Sequence, residues 1–208
     1  MIVEIYGLPA SGKTALAEKL SNSAGFKIIK VRTRWELIFY NLKFFISHPI
    51  KFFILFSYIV KNAGSGKRFY HKLMNCFLHV NGRLLKAAKF EKAVVDQGYF
   101  LNILTVFENK LEVIEAKKYL NQVIKPDILI ILDVSEAMQA SRVGHRGYLA
   151  REEYGEEYKK RWLEIMRYND AILKAVLSDL NISYCIINGD RDLEVVYHSV
   201  MAKINYEK

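Results

Sequence analysis

The chain has 208 residues, 51% of them hydrophobic and 25% charged, with only 3 prolines and 11 glycines, enough for one sizeable core and too few for two ordinary domains. This balance excludes a disordered chain, a collagen and a coiled coil, while the 2 cysteines, Cys76 and Cys185, exclude a disulfide-built scaffold and suit a reducing, cytoplasmic setting. A formal net charge of +9, from 31 Lys and Arg against 22 Asp and Glu, favours an anionic partner: a phosphorylated small molecule, a nucleic acid, an acidic glycan or an anionic membrane.

Ile2 to Tyr6 is an apolar run that predicts a first strand, and its start beside Met1 leaves no room for a signal peptide. Directly after it comes Gly7-Leu8-Pro9-Ala10-Ser11-Gly12-Lys13-Thr14, then Ala15, Leu16, Ala17 and Leu20 at helical spacing. Strand, glycine-rich turn and helix form the context that the pattern G-x-x-x-x-G-K-T requires. Backbone N–H groups of such a loop cradle a polyphosphate, helped by the positive end of the helix. Lys13 reaches toward the β and γ phosphates, and the Thr14 hydroxyl supplies a Mg²⁺ ligand. Gly64-Ser65-Gly66-Lys67 repeats part of this wording, but without a preceding strand or the upstream glycine it reads as a loop.

Phe26 to Val31 predicts a second strand. The window from Leu37 to Phe90 then holds no Asp or Glu, and its nine cations are Lys43, Lys51, Lys61, Lys67, Arg68, Lys72, Arg83, Lys86 and Lys89, so the rest of the chain balances to zero. It is also rich in aromatics, among them Phe39, Tyr40, Phe44, Phe45, Phe52, Phe53, Phe56 and Tyr58. Lys43, Pro49 and Lys51 interrupt the apolar run, and the uncharged piece from Phe52 to Val60 is about half the roughly 20 residues a membrane span needs. Two or three helices ending near Lys89 or Phe90 fit better, with a break near Pro49. Their apolar faces are expected to pack on the core or on a second copy of the chain, or to contact an anionic membrane peripherally.

Ala93 to Asp96 predicts a third strand, followed by helices from about Tyr99 and Glu112. Asp127 to Asp133 reads as a fourth strand buried on both faces. Tyr154, Tyr158, Trp162, Ile165, Met166, Asn169, Ile172, Leu173 and Val176 recur at three and four, a long amphipathic helix. Tyr184 to Ile187 predicts a fifth strand, and a last helix starts near Asp192. Strands alternating with helices predict an α/β fold: a parallel sheet covered on both faces, with ligands at the carboxyl ends of the strands. Asp96, closing the third strand, is the first choice for a metal-side carboxylate. Asp133 competes, unless it only bonds local backbone in the turn with Ser135. Ser141 to Gly147, with Arg142 and Arg146 around Gly144, reads as a closing lid over 141–153 whose arginines neutralise a migrating phosphoryl group. Arg151 can instead pair with nearby glutamates, and His145 and the two cysteines are given no chemistry.

Gly7 to Thr14, Asp96-Gln97-Gly98, Pro126 to Asp133, Arg142 to Arg146 and Gly189-Asp190-Arg191-Asp192-Leu193-Glu194 together resemble a P-loop kinase of the nucleoside monophosphate kinase type, nearest to thymidylate kinase-like proteins. The resemblance covers the first thirty residues and roughly Lys92 to the end. It implies a P-loop NTPase three-layer sandwich over the whole chain, with five parallel strands in the order 2-3-1-4-5. Residues 37–90 would be its basic helical insertion and bind the acceptor. ATP would be the donor, its phosphates held by Gly7, Ala10, Ser11, Gly12, Lys13, Thr14 and Ala15. Arg142 and Arg146 would form the lid, and Gly189 and Asp190 would lie beside the adenine. Where such kinases carry Asp-Arg-Tyr this chain has Asp96-Gln97-Gly98-Tyr99, so Gln97 and Tyr99, with Arg32 and Arg34 after the second strand, become the acceptor contacts.

The sequence thus predicts ATP- and Mg²⁺-dependent phosphoryl transfer, with Lys13, Asp96, Arg142 and Arg146 catalytic and Thr14 and Asp96 holding the metal. The acceptor is a small nucleotide phosphate, or alternatively a hydroxyl, since the wording of the loop is also close to small-molecule and polynucleotide 5′-hydroxyl kinases. A nucleotide-regulated, membrane-peripheral binding module is the reading from another class. No recognisable nucleic-acid motif supports a polynucleotide partner.

Overall fold

The structure, a computed structural model, describes residues 1–146 and 154–206. Five parallel strands lie in the order β2-β3-β1-β4-β5, with β1 at Ile2–Gly7, β2 at Lys27–Ile28, β3 at Ala93–Val95, β4 at Ile128–Asp133 and β5 at Ser183–Asn188. The register pairs Gly7 with Leu132 and Glu4 with Val95, so the loop after β1 and the turn after β3 emerge at the same edge. β2 is shorter than expected. It is an edge strand with β3 as its only neighbour, and after Ile29 donates to Val94 O at 3.0 Å the chain leaves to start the next helix.

Alternation along the strands makes the layers. Val3, Ile5, Ile128, Ile130 and Leu132 face α1 (Lys13–Ala24) and α10 (Leu193–Tyr206). Tyr6, Val95, Leu129 and Ile131 face the other way, toward α5 (His79–Ala87), α6 (Asn102–Thr105), α7 (Val113–Leu120) and α9 (Glu156–Val176). On α9 the expected stripe is buried, with Trp162, Ile165, Met166, Asn169, Leu173 and Val176 inward.

The basic window is mostly helical. α2 (Arg34–Ser47) is capped by the Thr33 hydroxyl, and α3 (Pro49–Lys61) starts at the proline that cannot continue α2; their axes bend by 117°. Ser65 then starts α4 (Gly66–Lys72), which runs through a π-helical stretch at Leu73–Leu78 into α5. Among the described residues no single helix is long and apolar enough to cross a membrane, although α2 and α3 pass that test as a bent pair.

Candidate active site

The loop after β1 is shaped for an anion. Ala10 and Gly12 have φ of 63° and 93°, a pair of left-handed positions that turns successive N–H groups inward. Gly12 is the N-cap of α1 and has no side chain to cap the helix, and no acidic residue stands in the first turn. The open N–H groups and the positive end of α1 therefore face whatever binds there. Lys13 Nζ donates to Gly7 O at 2.7 Å and Leu8 O at 2.8 Å, which holds the ammonium over the loop. Thr14 and Ala15 are exposed at the start of α1. A polyphosphate fits this donor set, and Thr14 offers a hydroxyl to a magnesium ion.

Two cavities flank the loop. The larger, of about 550 Å³, is lined by Gly7, residues 9–15, Gln97, Leu101, Leu104, Thr105 and Arg142, closed by His71 from α4, by Tyr154, and by Trp162 and Met166 from α9. The smaller, of about 300 Å³, lies on the other side, between Gly12, Ala15 and Leu132 and the segment carrying Gly189 and Arg191. α8 (Glu136–Arg146) separates them. Its Gln139 donates to Pro9 O at 3.0 Å, and Arg142 donates to Ser11 O at 3.2 Å and Gly189 O at 2.9 Å. Arg142 thus ties the phosphate loop to the loop after β5. Ser141 to Arg146 is the end of this docked helix, where the sequence suggested a closing lid over 141–153. The side chain of Arg146, and Arg151 with the rest of the expected lid, lie outside the described residues.

The other expected site residues divide sharply. Gln97 lines the larger cavity; Asp96 stands one residue behind it, half-buried at the end of β3. Arg32 and Arg34 are exposed at the start of α2 and line neither cavity. Tyr99 is not a wall of the cavity: it is buried in the core, and its hydroxyl donates to Asn81 of α5. Asp133 pairs with Lys174 at 2.6 Å, and the backbone N–H of Ser135 goes to Asp190 at 3.0 Å. The expected bond of Asp133 to its own turn is therefore replaced by an ion pair reaching Asp170, whose other oxygen accepts from Tyr6. Burial opposes charge on Lys174, yet its hydrogen bonds to Asp133 and Asp170 hold the ammonium above its ordinary range.

Glu4 and Arg83 are among the residues that escaped the sequence reading. Glu4, in the middle of β1, is fully buried, and one carboxylate oxygen accepts from Phe100 N–H at 2.8 Å. Burial pushes its carboxyl up to about 8, against the pull of the backbone N–H groups of Tyr99, Phe100 and Leu101. This buried anchor ends the turn after β3 and delays α6 to Asn102, three residues past the expected start. A lone glutamate inside Ile2-Val3-Glu4-Ile5-Tyr6 was the available signal. Arg83 of α5 donates to Gln97 O at 3.0 Å; burial lowers the affinity of its guanidinium for the proton, and the neighbouring Asp96 charge works the other way. Nothing marked Arg83 among nine cations.

Fold and loop together define a five-stranded parallel α/β architecture with a glycine-rich loop between its first strand and first helix. No family model and no curated protein matches the sequence. Among solved structures, the chain is similar to deoxyadenosine kinase of M. mycoides with bound dCTP, at 19% identity and a TM-score of 0.58, covering 99% of this chain and 100% of that one. The same kinase with bound dATP is 18% identical, with a TM-score of 0.56 and the same coverage. The YorR protein of Bacillus subtilis, in complex with phosphorylated GDP, is 13% identical at a TM-score of 0.50, covering 100% of this chain and 97% of that one.

Proposed function

We propose that the protein is a cytoplasmic nucleoside kinase, transferring the terminal phosphoryl group of ATP, with Mg²⁺, to a hydroxyl of a small neutral acceptor. What supports the donor is the open anion cradle of Ala10 to Ala15 with Lys13 above it. The smaller cavity beside Gly189 and Arg191 suits the base of the triphosphate. Thr14 would hold the metal, which would supply charge neutralisation for the phosphates.

The acceptor reading rests on one observation. Apart from the loop and Arg142, which bonds that loop, the described lining of the larger cavity is Gln97, Thr105, His71, Leu101, Leu104, Tyr154, Trp162 and Met166, none of them an arginine or lysine. An acceptor phosphate needs a cation to hold it. A nucleoside needs apolar faces for its base and neutral polar groups for its sugar, and deoxyadenosine kinase, whose fold this chain shares, carries a nucleoside in its name. In the reaction the acceptor oxygen bonds to the terminal phosphorus as the bond to the bridging oxygen breaks, and Asp96 takes the hydroxyl proton.

The test is ATP consumption across deoxynucleosides, ribonucleosides and nucleoside monophosphates, with Lys13→Ala as the control. One nucleoside should stimulate turnover, and Lys13→Ala should lower it by about a hundredfold or more. Stimulation by a monophosphate alone overturns the acceptor assignment and returns it to the thymidylate kinase-like alternative.

A further inference from the structure

The phosphoryl-transfer reading leaves the outer face of the basic window unused, and this face has a composition that the interior of the fold does not require. On α2, Trp35, Ile38, Phe39, Leu42, Phe45 and Ile46 follow one another at three and four, so they share a side of the helix. All six are exposed, Trp35 by 80% and Ile46 by 71%. α3 continues the surface with Ile50, exposed by 73%, and Phe53, exposed by 61%, whose ring lies 5.8 Å from that of Phe45. Between the helices, Leu37, Ile38, Leu42, Phe45, Phe52 and Leu78 line an open, almost wholly apolar groove. Scattered apolar residues are normal on a surface; a contiguous set this large marks a place that something covers.

Charge decides what covers it. Lys43 lies one residue from Leu42, Lys51 one from Ile50 and Lys61 one from Val60, all at the rim of the same surface, and among the described residues none is paired with a carboxylate. The other cations of the window are engaged. Lys72 and Arg68 meet Glu108, Lys86 meets Glu36, and Lys67 and Lys89 lie over aromatic rings. A second copy of the chain would bring these unpaired lysines against one another, because residues 37–90 contain no acidic residue to offset them. A bilayer with anionic headgroups matches both parts of the surface at once: acyl chains for the apolar ridge, headgroup charge for the rim.

We infer that the outer face of α2 and α3 docks the protein on an anionic lipid bilayer, the two helices lying in the headgroup layer without crossing it. Crossing is opposed by the fold itself. The reverse sides of the same helices carry Phe44, Leu55 and Ile59, all buried in the main core, so inserting the pair would tear them out of it. Trp35, at the most exposed position, sits where aromatic side chains anchor at a membrane interface.

The experiment is co-sedimentation with vesicles of equal parts phosphatidylglycerol and phosphatidylcholine, beside vesicles of phosphatidylcholine alone. The protein should pellet with the anionic vesicles, much less with the neutral ones, and less again in high salt. The double variant Ile46→Ser/Ile50→Ser changes two exposed side chains, so its unfolding transition should match the parent while its partitioning falls by at least about tenfold. Trp35 emission gives an independent reading on the unmodified protein: it should shift to the blue on anionic vesicles. Trp162 is buried and adds a constant background, so Trp35→Phe should abolish the shift. Protein that stays in the supernatant with unshifted emission overturns the assignment. So does a dimer in sedimentation equilibrium that the double serine variant dissociates, which would give the surface to a second copy.

Discussion

Glu4 and Gly98 form a pair whose consequences can be measured. A Cβ on Gly98 would come within 2.2 Å of the Glu4 carboxyl carbon, so the turn after β3 can sit over this buried acid only with glycine there. Gly98→Ala must displace either the carboxylate from Phe100 N–H or the turn from the cavity wall. It should cost roughly 1–3 kcal/mol in urea unfolding and raise the KM for the acceptor more than it lowers kcat. The acid itself gives stability a sign with pH. Its folded value, about 8, lies above the usual 4.5, so the folded state binds the extra proton between them. The stabilisation is complete below the lower value and is lost as pH rises through the upper one, by up to about 3 kcal/mol from pH 5.5 to 8. Glu4→Gln keeps an acceptor for Phe100 N–H and removes the titration, so its stability should be flat over that window where the parent declines. Arg142 poses a different question. Its bonds to Ser11 and Gly189 make it a brace between donor cavity and loop, so Arg142→Ala should raise the KM for ATP by about tenfold while kcat changes less. A fall in kcat alone would return the residue to the charge-neutralising role that its position in the sequence suggested.

At the scale of elements, the basic window is joined to the sheet by polar bonds inside the core. Tyr99 donates to Asn81, Asn81 donates to Asn41 at 3.0 Å, and Asn41 donates to Leu37 O and Leu78 O, so one chain links the turn after β3 to α5 and α2. Asn81→Ala removes the middle member and leaves a buried phenol and a buried amide short of partners. It should cost about 2–4 kcal/mol in urea unfolding, whereas Tyr99→Phe together with Asn81→Leu should cost less than the sum of the two single changes. These joints explain what was legible in advance. Periodicity and the proline at position 49 specify α2, α3 and α9, because each is long and set by one repeating face. The short β2, the π-helical stretch and the late start of α6 depend on partners distant in sequence: β3, the packing of α3 and Glu4. The phosphate loop was legible because its chemistry is written in consecutive residues. Arg83 and His71 reach the site from the window by tertiary packing alone, and Tyr99 left it for the same reason.

The whole molecule divides its charge between two tasks. Acids outside the window, Glu36, Asp96 and Glu108, lie against Lys86, Arg83, Lys72 and Arg68 and fasten the helices to the sheet, while the loop after β1 holds Lys13 and a bare helix terminus with no carboxylate among the described residues that line the cavity. The folded state therefore keeps an anion site that is preformed and uncompensated, and an unfolded chain has no such site. Binding must then appear as stability. A non-hydrolysable ATP analogue at about a hundred times its Kd should add about 2.7 kcal/mol, or roughly 5–10 °C in Tm for a chain of this size. Lys13→Ala should gain far less from the analogue, since it removes the ammonium that Gly7 O and Leu8 O hold over the loop. An equal gain in both proteins would place the triphosphate elsewhere than on this loop. Because the lipid-facing lysines lie on α2 and α3, away from both cavities, the same shift should persist in the Ile46→Ser/Ile50→Ser variant, which separates the two anion-seeking surfaces in one titration.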